Sequence, residues 1–187
     1  FTQRVRAMLD AHPERTYYLV RFDVDRFKQF NALFGTDEGN RFLRYVAQML
    51  RELRLRYPSL VFARLDSDVF VVCWRDVEEA QLREEIERFQ AGVKRYTTRF
   101  DVVSAFGVYP VTDGSLSVTD MIGRATMAAR TCKGKYLQNV AFYDEQMGRA
   151  AEREQLIVNE MNGALEQEQF CVYFQPKYNI ATSRPIG

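Results

Sequence analysis

The chain has 187 residues, of which 47% are apolar and 13% aromatic, and its formal net charge is +1 at pH 7. These values fit one well-packed domain with a fragment of a second, and they exclude a disordered chain. A nearly neutral chain gives no electrostatic reason to expect binding to nucleic acid or to an anionic membrane.

The lack of a recognisable targeting signal and the spacing of the cysteines predict a cytoplasmic protein. No apolar run is long enough to cross a bilayer, and the charged stretch FTQRVRAMLDAHPE is not typical of a secretory signal. The cysteines are odd in number and widely spaced, which predicts buried thiols in a reducing compartment rather than disulfides or a zinc site. They are Cys73, Cys132 and Cys171.

The first elements in chain order are a helix end, a strand and a helix. Residues 1–14 contain apolar side chains at helical spacing and predict a linker helix that enters from an upstream segment. Residues 16–25, TYYLVRFDVD, predict a buried strand that ends in acidic side chains. The break FGTDEG then starts an amphipathic helix. Its apolar positions are Phe42, Val46, Met49 and Leu53.

The stretch VFARLDSDVFVV predicts a β-hairpin, with strands at 60–65 and 69–74 and acidic residues at its tip. A second amphipathic helix follows, with its apolar positions between Leu82 and Val93. The later elements are a strand, a helix capped by Ser117 and a short last strand. The two strands cover residues 99–110 and 139–144.

The predicted order is β-α-β-β-α-β, then α-β. This is an α+β, ferredoxin-like plan with an added helix and strand, built on a mostly antiparallel central sheet. The plan alone gives no function, because proteins of many activities share it. An RNA-binding role is disfavoured, because the strands lack an aromatic and basic platform.

Acidic side chains follow two elements that we expect to be neighbours in the middle of the sheet. Asp23 and Asp25 end the first strand, and Asp66 and Asp68 lie at the hairpin tip. Gathered carboxylates suit Mg²⁺, which also binds substrate phosphates, and phosphoryl transfer depends on such positioning. The alternative is that these acids cap loops and face water, as most exposed carboxylates do.

One long motif resembles a known family. The segment FDVDRFKQFNALFGTDEGNRFL is similar to the pattern D-x-D-x-F-K-x-x-N-x-x-x-G-x-x-x-G-D-x-x-L of GGDEF domains, the diguanylate cyclases. The matching residues are Asp23, Asp25, Phe27, Lys28, Asn31, Gly35, Gly39 and Leu43. The resemblance covers about residues 15–145, and it implies the fold of the nucleotidyl cyclases.

The resemblance also implies a set of site residues. The metal ligands would be Asp23, the carbonyl of Val24, and Asp68. The guanine base would be read by Asn31, with Asn40 in place of the family's aspartate. Phe27 and Lys28 would belong to the same nucleotide site, and Lys133 would contact phosphate. The family's arginine four residues after that lysine is Leu137 here.

The departures from the family lie mainly in the hairpin. The family's Gly-Gly pair, which gives the nucleotide room and allows positive φ, is Asp66-Ser67. Asp68 keeps the acidic position, but the active-site glutamate after it is Val69, followed by the family's phenylalanine as Phe70. An amide at Asn40 accepts the guanine donors less well than a carboxylate. The family's inhibitory R-x-x-D site is absent at residues 57–60.

These departures predict a degenerate GGDEF domain that does not synthesise cyclic di-GMP and has no catalytic residues. We expect weak binding of GTP with Mg²⁺ and a regulatory role. Two alternatives stay open: an active diguanylate cyclase with an unusual hairpin, and a structural or dimerisation spacer that binds no nucleotide.

The last part of the chain predicts a connection to another domain. Residues 146–169 predict a connector helix whose apolar stripe packs on the domain, pairs with a second copy as a homodimer, or is simply solvated. Residues 170–187, FCVYFQPKYNIATSRPIG, resemble the first strands of EAL domains, the cyclic di-GMP phosphodiesterases. We expect an EAL domain to be the partner that this module controls.

Overall fold

The computed structural model describes residues 1–97, 100, 102, 104–135 and 139–185. The chain divides into two compact units, Phe1–Gly148 and Arg149–Gly187. Within the described residues, no helix has both the length and the apolar character needed to cross a bilayer.

The described residues form six helices and five strands. The helices are α1 (Thr2–Ala11), α2 (Phe27–Phe34), α3 (Thr36–Arg56), α4 (Glu79–Lys94), α5 (Val118–Cys132) and α6 (Glu145–Glu166). The strands are β1 (Tyr17–Val24), β2 (Val61–Asp66), β3 (Val69–Arg75), β4 (Ser104–Pro110) and β5 (Val140–Phe142).

The five strands form one sheet in the order β2-β3-β1-β4-β5. β1 is antiparallel to both β3 and β4, β2 is antiparallel to β3, and β5 is parallel to β4. This confirms the predicted α+β fold with its mostly antiparallel sheet. The expectation that both hairpin strands occupy the middle of the sheet is wrong, because β2 lies at the edge.

Helix α2 is an element that the sequence pattern did not predict separately. It has eight residues and ends at Gly35, whose φ of 85° allows a turn that most residues disfavour. α3 then begins at Thr36. The buried rings of Phe27 and Phe30 hold α2 against the core, so packing rather than length stabilises this short helix.

The alternating side chains of β1 serve two different cores, one on each face of the sheet. Val20, Phe22 and Val24 point to the face covered by α3 and α4, where aliphatic and aromatic side chains pack together. Tyr17 and Leu19 point to the opposite face and pack with α1 and α5. Arg21 and Asp23 follow on this second face at the end of the strand.

The second face is closely packed. A Cβ atom added at Gly107 of β4 would lie 1.8 Å from the carbonyl oxygen of Ala125 in α5, so only glycine fits there. α1 belongs to this packing through Val5 and Leu9, both buried. Arg6 of α1 also donates a hydrogen bond to the carbonyl of Gly114.

The second unit shows helix and irregular backbone. No described residue of α6 is buried, and its apolar residues Ile157, Met161 and Leu165 are exposed. The prediction of a strand pair after residue 170 is wrong: the described residues there form only an isolated bridge between Tyr178 and Pro185. A strand needs a ladder of hydrogen bonds to a neighbour, and the described residues 170–185 form only this one bridge; residues 186–187 lie outside the described part.

Candidate functional site

The candidate site lies where β1 ends beside the hairpin. Phe22 of β1 pairs with Phe70 of β3. Continued by one residue, this antiparallel register places Val69 opposite Asp23 on the same face of the sheet. The end of β1 and the hairpin turn are therefore neighbours, as the sequence predicts, but the residue directly opposite Asp23 is apolar.

The hairpin turn is tight and strained. β2 ends at Asp66, and the two-residue turn is Ser67-Asp68. Ser67 has a φ of 30°, in the left-handed region that favours glycine. Arg64 donates a hydrogen bond to the carbonyl of Ser67, which holds the turn closed. Asp66 is exposed and Asp68 is half-buried.

The carboxylate of Asp23 is buried and held by two cations. Its Oδ2 atom accepts hydrogen bonds from Nη1 of Arg21 at 2.8 Å and from Nζ of Lys133 at 3.0 Å. Its Oδ1 atom is buried and has no hydrogen-bond partner among the described residues. Two positive charges therefore surround one negative charge at the end of β1.

Each of the two cations is positioned by its own element. Lys133 is the residue at the C-terminal end of α5, a helix that begins where the Ser117 side chain accepts a hydrogen bond from the amide of Asp120. Arg21 lies two residues before Asp23 and so shares its face of β1. Sequence reasoning missed Arg21, although the signal was available: it is the one charged residue before Asp23 in the apolar run 17–24.

The residues around Asp23 fit Mg²⁺ poorly. Among the described residues, no group of three or more His, Cys, Asp or Glu side chains could hold a metal ion. The position opposite Asp23 is Val69, and the nearest partners of Asp23 are cations, which would repel a divalent ion. The predicted metal ligands Asp23, Val24 and Asp68 thus gain no support from the charges around them.

The predicted base-binding residues lie on α2 and α3. The Oδ1 atom of Asn31 is buried and has no hydrogen-bond partner among the described residues. It lies so close to Gly39 that a Cβ atom there would be 1.8 Å away, so the glycine makes room for the amide. The ring of Phe27 is buried beside them, while Lys28 and Asn40 are exposed.

Glu38, the acidic residue nearest to Asn40 along α3, already forms a hydrogen bond and an ion pair within the domain. Glu38 accepts a hydrogen bond of 2.6 Å from the hydroxyl of Tyr96. This bond lowers the pKa of Glu38, and burial, with the same bond, raises the pKa of Tyr96 to about 12. Glu38 also pairs with Arg41 and is thus committed to internal contacts. Leu137, at the other predicted departure, lies outside the described residues.

A protein-family model described as "Diguanylate cyclase, GGDEF domain" matches residues 1–137. Among curated proteins, MucR of Pseudomonas aeruginosa, a bifunctional diguanylate cyclase/cyclic di-GMP phosphodiesterase, is 25% identical over 180 residues, which are 93% of this chain and 26% of MucR. The cyclic di-GMP phosphodiesterase NbdA of the same organism is 25% identical over 163 residues, 85% of this chain and 21% of NbdA. The chain thus spans between a fifth and about a quarter of the length of these relatives.

Solved structures share the fold. The GGDEF domain of DgcB from Caulobacter crescentus, solved in complex with c-di-GMP, superposes with a TM-score of 0.62 at 21% identity, covering 75% of this chain and 85% of that chain. At this level of identity the match establishes the arrangement of helices and strands alone.

Proposed function

This chain belongs to the GGDEF domain family, and we propose that it is a non-catalytic member that regulates the protein of which it is part. Proteins of cyclic di-GMP signalling carry such domains. The proposal is that this one does not join two GTP molecules, and that it transmits the presence of a guanine nucleotide to an attached EAL phosphodiesterase.

The proposal rests on Val69, which the register of β1 and β3, continued one residue beyond the pair Phe22–Phe70, places opposite Asp23. An isopropyl group there can neither bind a metal nor transfer a proton, so the carboxylate of Asp23 has no acidic partner at the position opposite it. Ser67 adds to this, because a side chain in the positive-φ turn occupies room that a bare backbone would leave for a ligand.

Nucleotide binding is supported by Asn31. Its buried Oδ1 atom has an unused acceptor, and guanine offers N–H donors at its N1 and N2 atoms. A buried acceptor without a donor costs free energy, so a ligand that supplies one gains affinity. The exposed amide of Asn40 is on the adjoining helix and is the second candidate contact.

The regulatory part of the proposal draws on the relatives. MucR and NbdA both carry cyclic di-GMP phosphodiesterase in their names, and the matched stretch is 26% of MucR and 21% of NbdA. α6 and the segment after it would connect this domain to such a partner, and the segment 170–187 would be the beginning of the EAL domain.

The test is synthesis of cyclic di-GMP by the purified chain, dimerised through a fused coiled coil and incubated with GTP and Mg²⁺. We expect no product by chromatography, while an active cyclase assayed in parallel gives product. A rate typical of active family members would overturn the proposal.

A variant with the family's hairpin sequence tests whether the hairpin prevents synthesis of cyclic di-GMP. The triple substitution Asp66→Gly, Ser67→Gly and Val69→Glu restores the family's hairpin, and any product formed by it would show that the hairpin is what blocks catalysis. In the full-length protein, a response of cyclic di-GMP hydrolysis to added GTP would support the regulatory role; no response, together with no GTP binding, would favour the spacer.

A further inference from the structure

We infer that Arg21 takes the place of a divalent cation at the end of β1, so that the site binds the phosphate groups of a guanine nucleotide without metal. The inference rests on the proposed function, since it assumes that a nucleotide binds. It adds a residue, Arg21, and a mode of phosphate binding that the proposed function does not contain.

The charge of the cluster has the sign that a phosphate requires. Arg21 and Lys133 both donate to the same Oδ2 atom of Asp23, so the two cations are neighbours and together carry one more charge than the carboxylate neutralises. A magnesium ion brought to this carboxylate would meet two positive charges, whereas a phosphate would meet a net positive cluster.

Both cations still have donors to offer. Among the described residues, Arg21 donates one hydrogen bond, and 14% of its side chain remains exposed to solvent. The side chain of Lys133 is 49% exposed, and one of its three donors is used. A guanidinium fork beside an ammonium matches the oxygen atoms of a phosphate group.

The contacts also explain how Arg21 is held in place. Its side chain is only 14% exposed and extends from the central strand, next to Gly107 of β4 and Val71 of β3. The guanidinium is therefore positioned before a ligand arrives, which reduces the entropy lost on binding. Acidic residues also lie at this end of the sheet, Asp25 after β1 and Asp66 and Asp68 in the hairpin, so the expected affinity is modest.

The test compares nucleotide binding with and without metal in the unmodified chain. Calorimetric titrations with GTP, and with inorganic triphosphate as a base-free probe, are run in EDTA and in excess Mg²⁺. We expect EDTA to leave the dissociation constant for GTP within about twofold or to improve it. Binding that requires Mg²⁺, or no binding under either condition, would overturn the inference.

Matched variants locate the binding. Arg21→Met should weaken GTP and triphosphate binding at least about tenfold, as expected for one charge-assisted contact, and Arg21→Lys should recover part of it. Arg56→Met, which removes a cation from another buried carboxylate, should leave binding unchanged. Equal binding by the Arg21→Met variant and the unmodified chain would exclude Arg21 as the anchor.

The two proposals fail differently. Formation of cyclic di-GMP would overturn the proposed function, whatever the titrations show. Metal-dependent binding without product would leave the proposed function in place and remove only the assignment of Arg21.

Discussion

Among the residues that the structure describes, two carboxylates are buried, Asp23 and Glu85, and cations surround each of them. Glu85 of α4 accepts hydrogen bonds on its Oε1 atom from Arg56, Arg88 and the hydroxyl of Tyr57. Asp23 accepts two on its Oδ2 atom. In both, the second oxygen is buried and has no partner among the described residues.

The two clusters differ in where their cations come from. Arg56 and Arg88 extend from helix surfaces and are 55% and 62% exposed, so water screens their charges. Arg21 extends from the central strand and is mostly buried. The difference teaches that a buried carboxylate with two cations is not by itself a functional site, and that the buried guanidinium is what distinguishes Asp23.

The largest expected effect is on stability, and it separates the two clusters directly. Asp23→Asn leaves the charge of Arg21 buried and uncompensated, so we expect a loss of about 3 kcal/mol in the free energy of unfolding. Glu85→Gln leaves two arginines that can turn to water, so we expect a loss under about 1 kcal/mol. Urea unfolding of both variants measures the difference.

Each substitution in this pair exchanges one carboxylate oxygen for an amide nitrogen, so shape is conserved and charge is what changes. Equal losses for Asp23→Asn and Glu85→Gln would show that the exposure of the cations does not matter, and the distinction between the clusters would be withdrawn.

The next prediction, whose effect is smaller per pH unit, concerns the buried thiol of Cys73, which stays neutral in the folded chain. Burial raises the pKa of Cys73 from its ordinary value of 9.0 to about 12, with Arg75 opposing the rise. Between these values the unfolded chain loses the thiol proton while the folded chain keeps it. The free energy of unfolding should therefore fall with rising pH by up to about 1.4 kcal/mol per pH unit from this group.

Unfolding curves across alkaline pH measure this slope. Cys73→Ala should flatten it relative to the unmodified chain, and Cys171→Ala, at an exposed cysteine, should leave it unchanged. If the Cys73→Ala profile runs parallel to that of the unmodified chain, burial of this thiol does not govern its ionisation.

The smallest effect separates backbone strain from charge at the Asp23 end of the sheet. Ser67→Gly should relieve the positive φ of the hairpin turn and raise the free energy of unfolding by about 0.5 kcal/mol, since relief of strain exceeds the added flexibility of the unfolded chain. Ser67→Ala keeps the strain and should give no gain. A loss of stability in the glycine variant would mean that the Ser67 side chain is itself stabilising.

Much of the fold was readable from local patterns. The spacing of Phe42, Val46 and Leu53 predicted α3, and the apolar run before Asp23 predicted the central strand. The sequence pattern did not predict helix α2, because eight residues are too few to show helical periodicity. Its stability comes from aromatic packing. The strand expected after residue 170 did not form because β-prone residues need a neighbouring strand.

The candidate site was less predictable. The family resemblance identified Asp23 and Lys133 as candidate site residues. It could not show that they form a hydrogen bond with each other, because they are 110 residues apart in the chain. It assigned Phe27 to the nucleotide, and the ring is buried among other aromatic rings, which packing alone explains. Arg21 follows from no motif, since its meaning depends on which side chains share its face of the sheet.

The position of β2 has a consequence for association of the protein. An outer strand offers a row of unpaired N–H and C=O groups that other chains can extend into aggregates. Here the register shifts between Arg64 and Asp66, and both residues place charge on the exposed rim. The register shift beside the hairpin turn, together with these charges, therefore makes the exposed edge of β2 a poor template for intermolecular sheet growth.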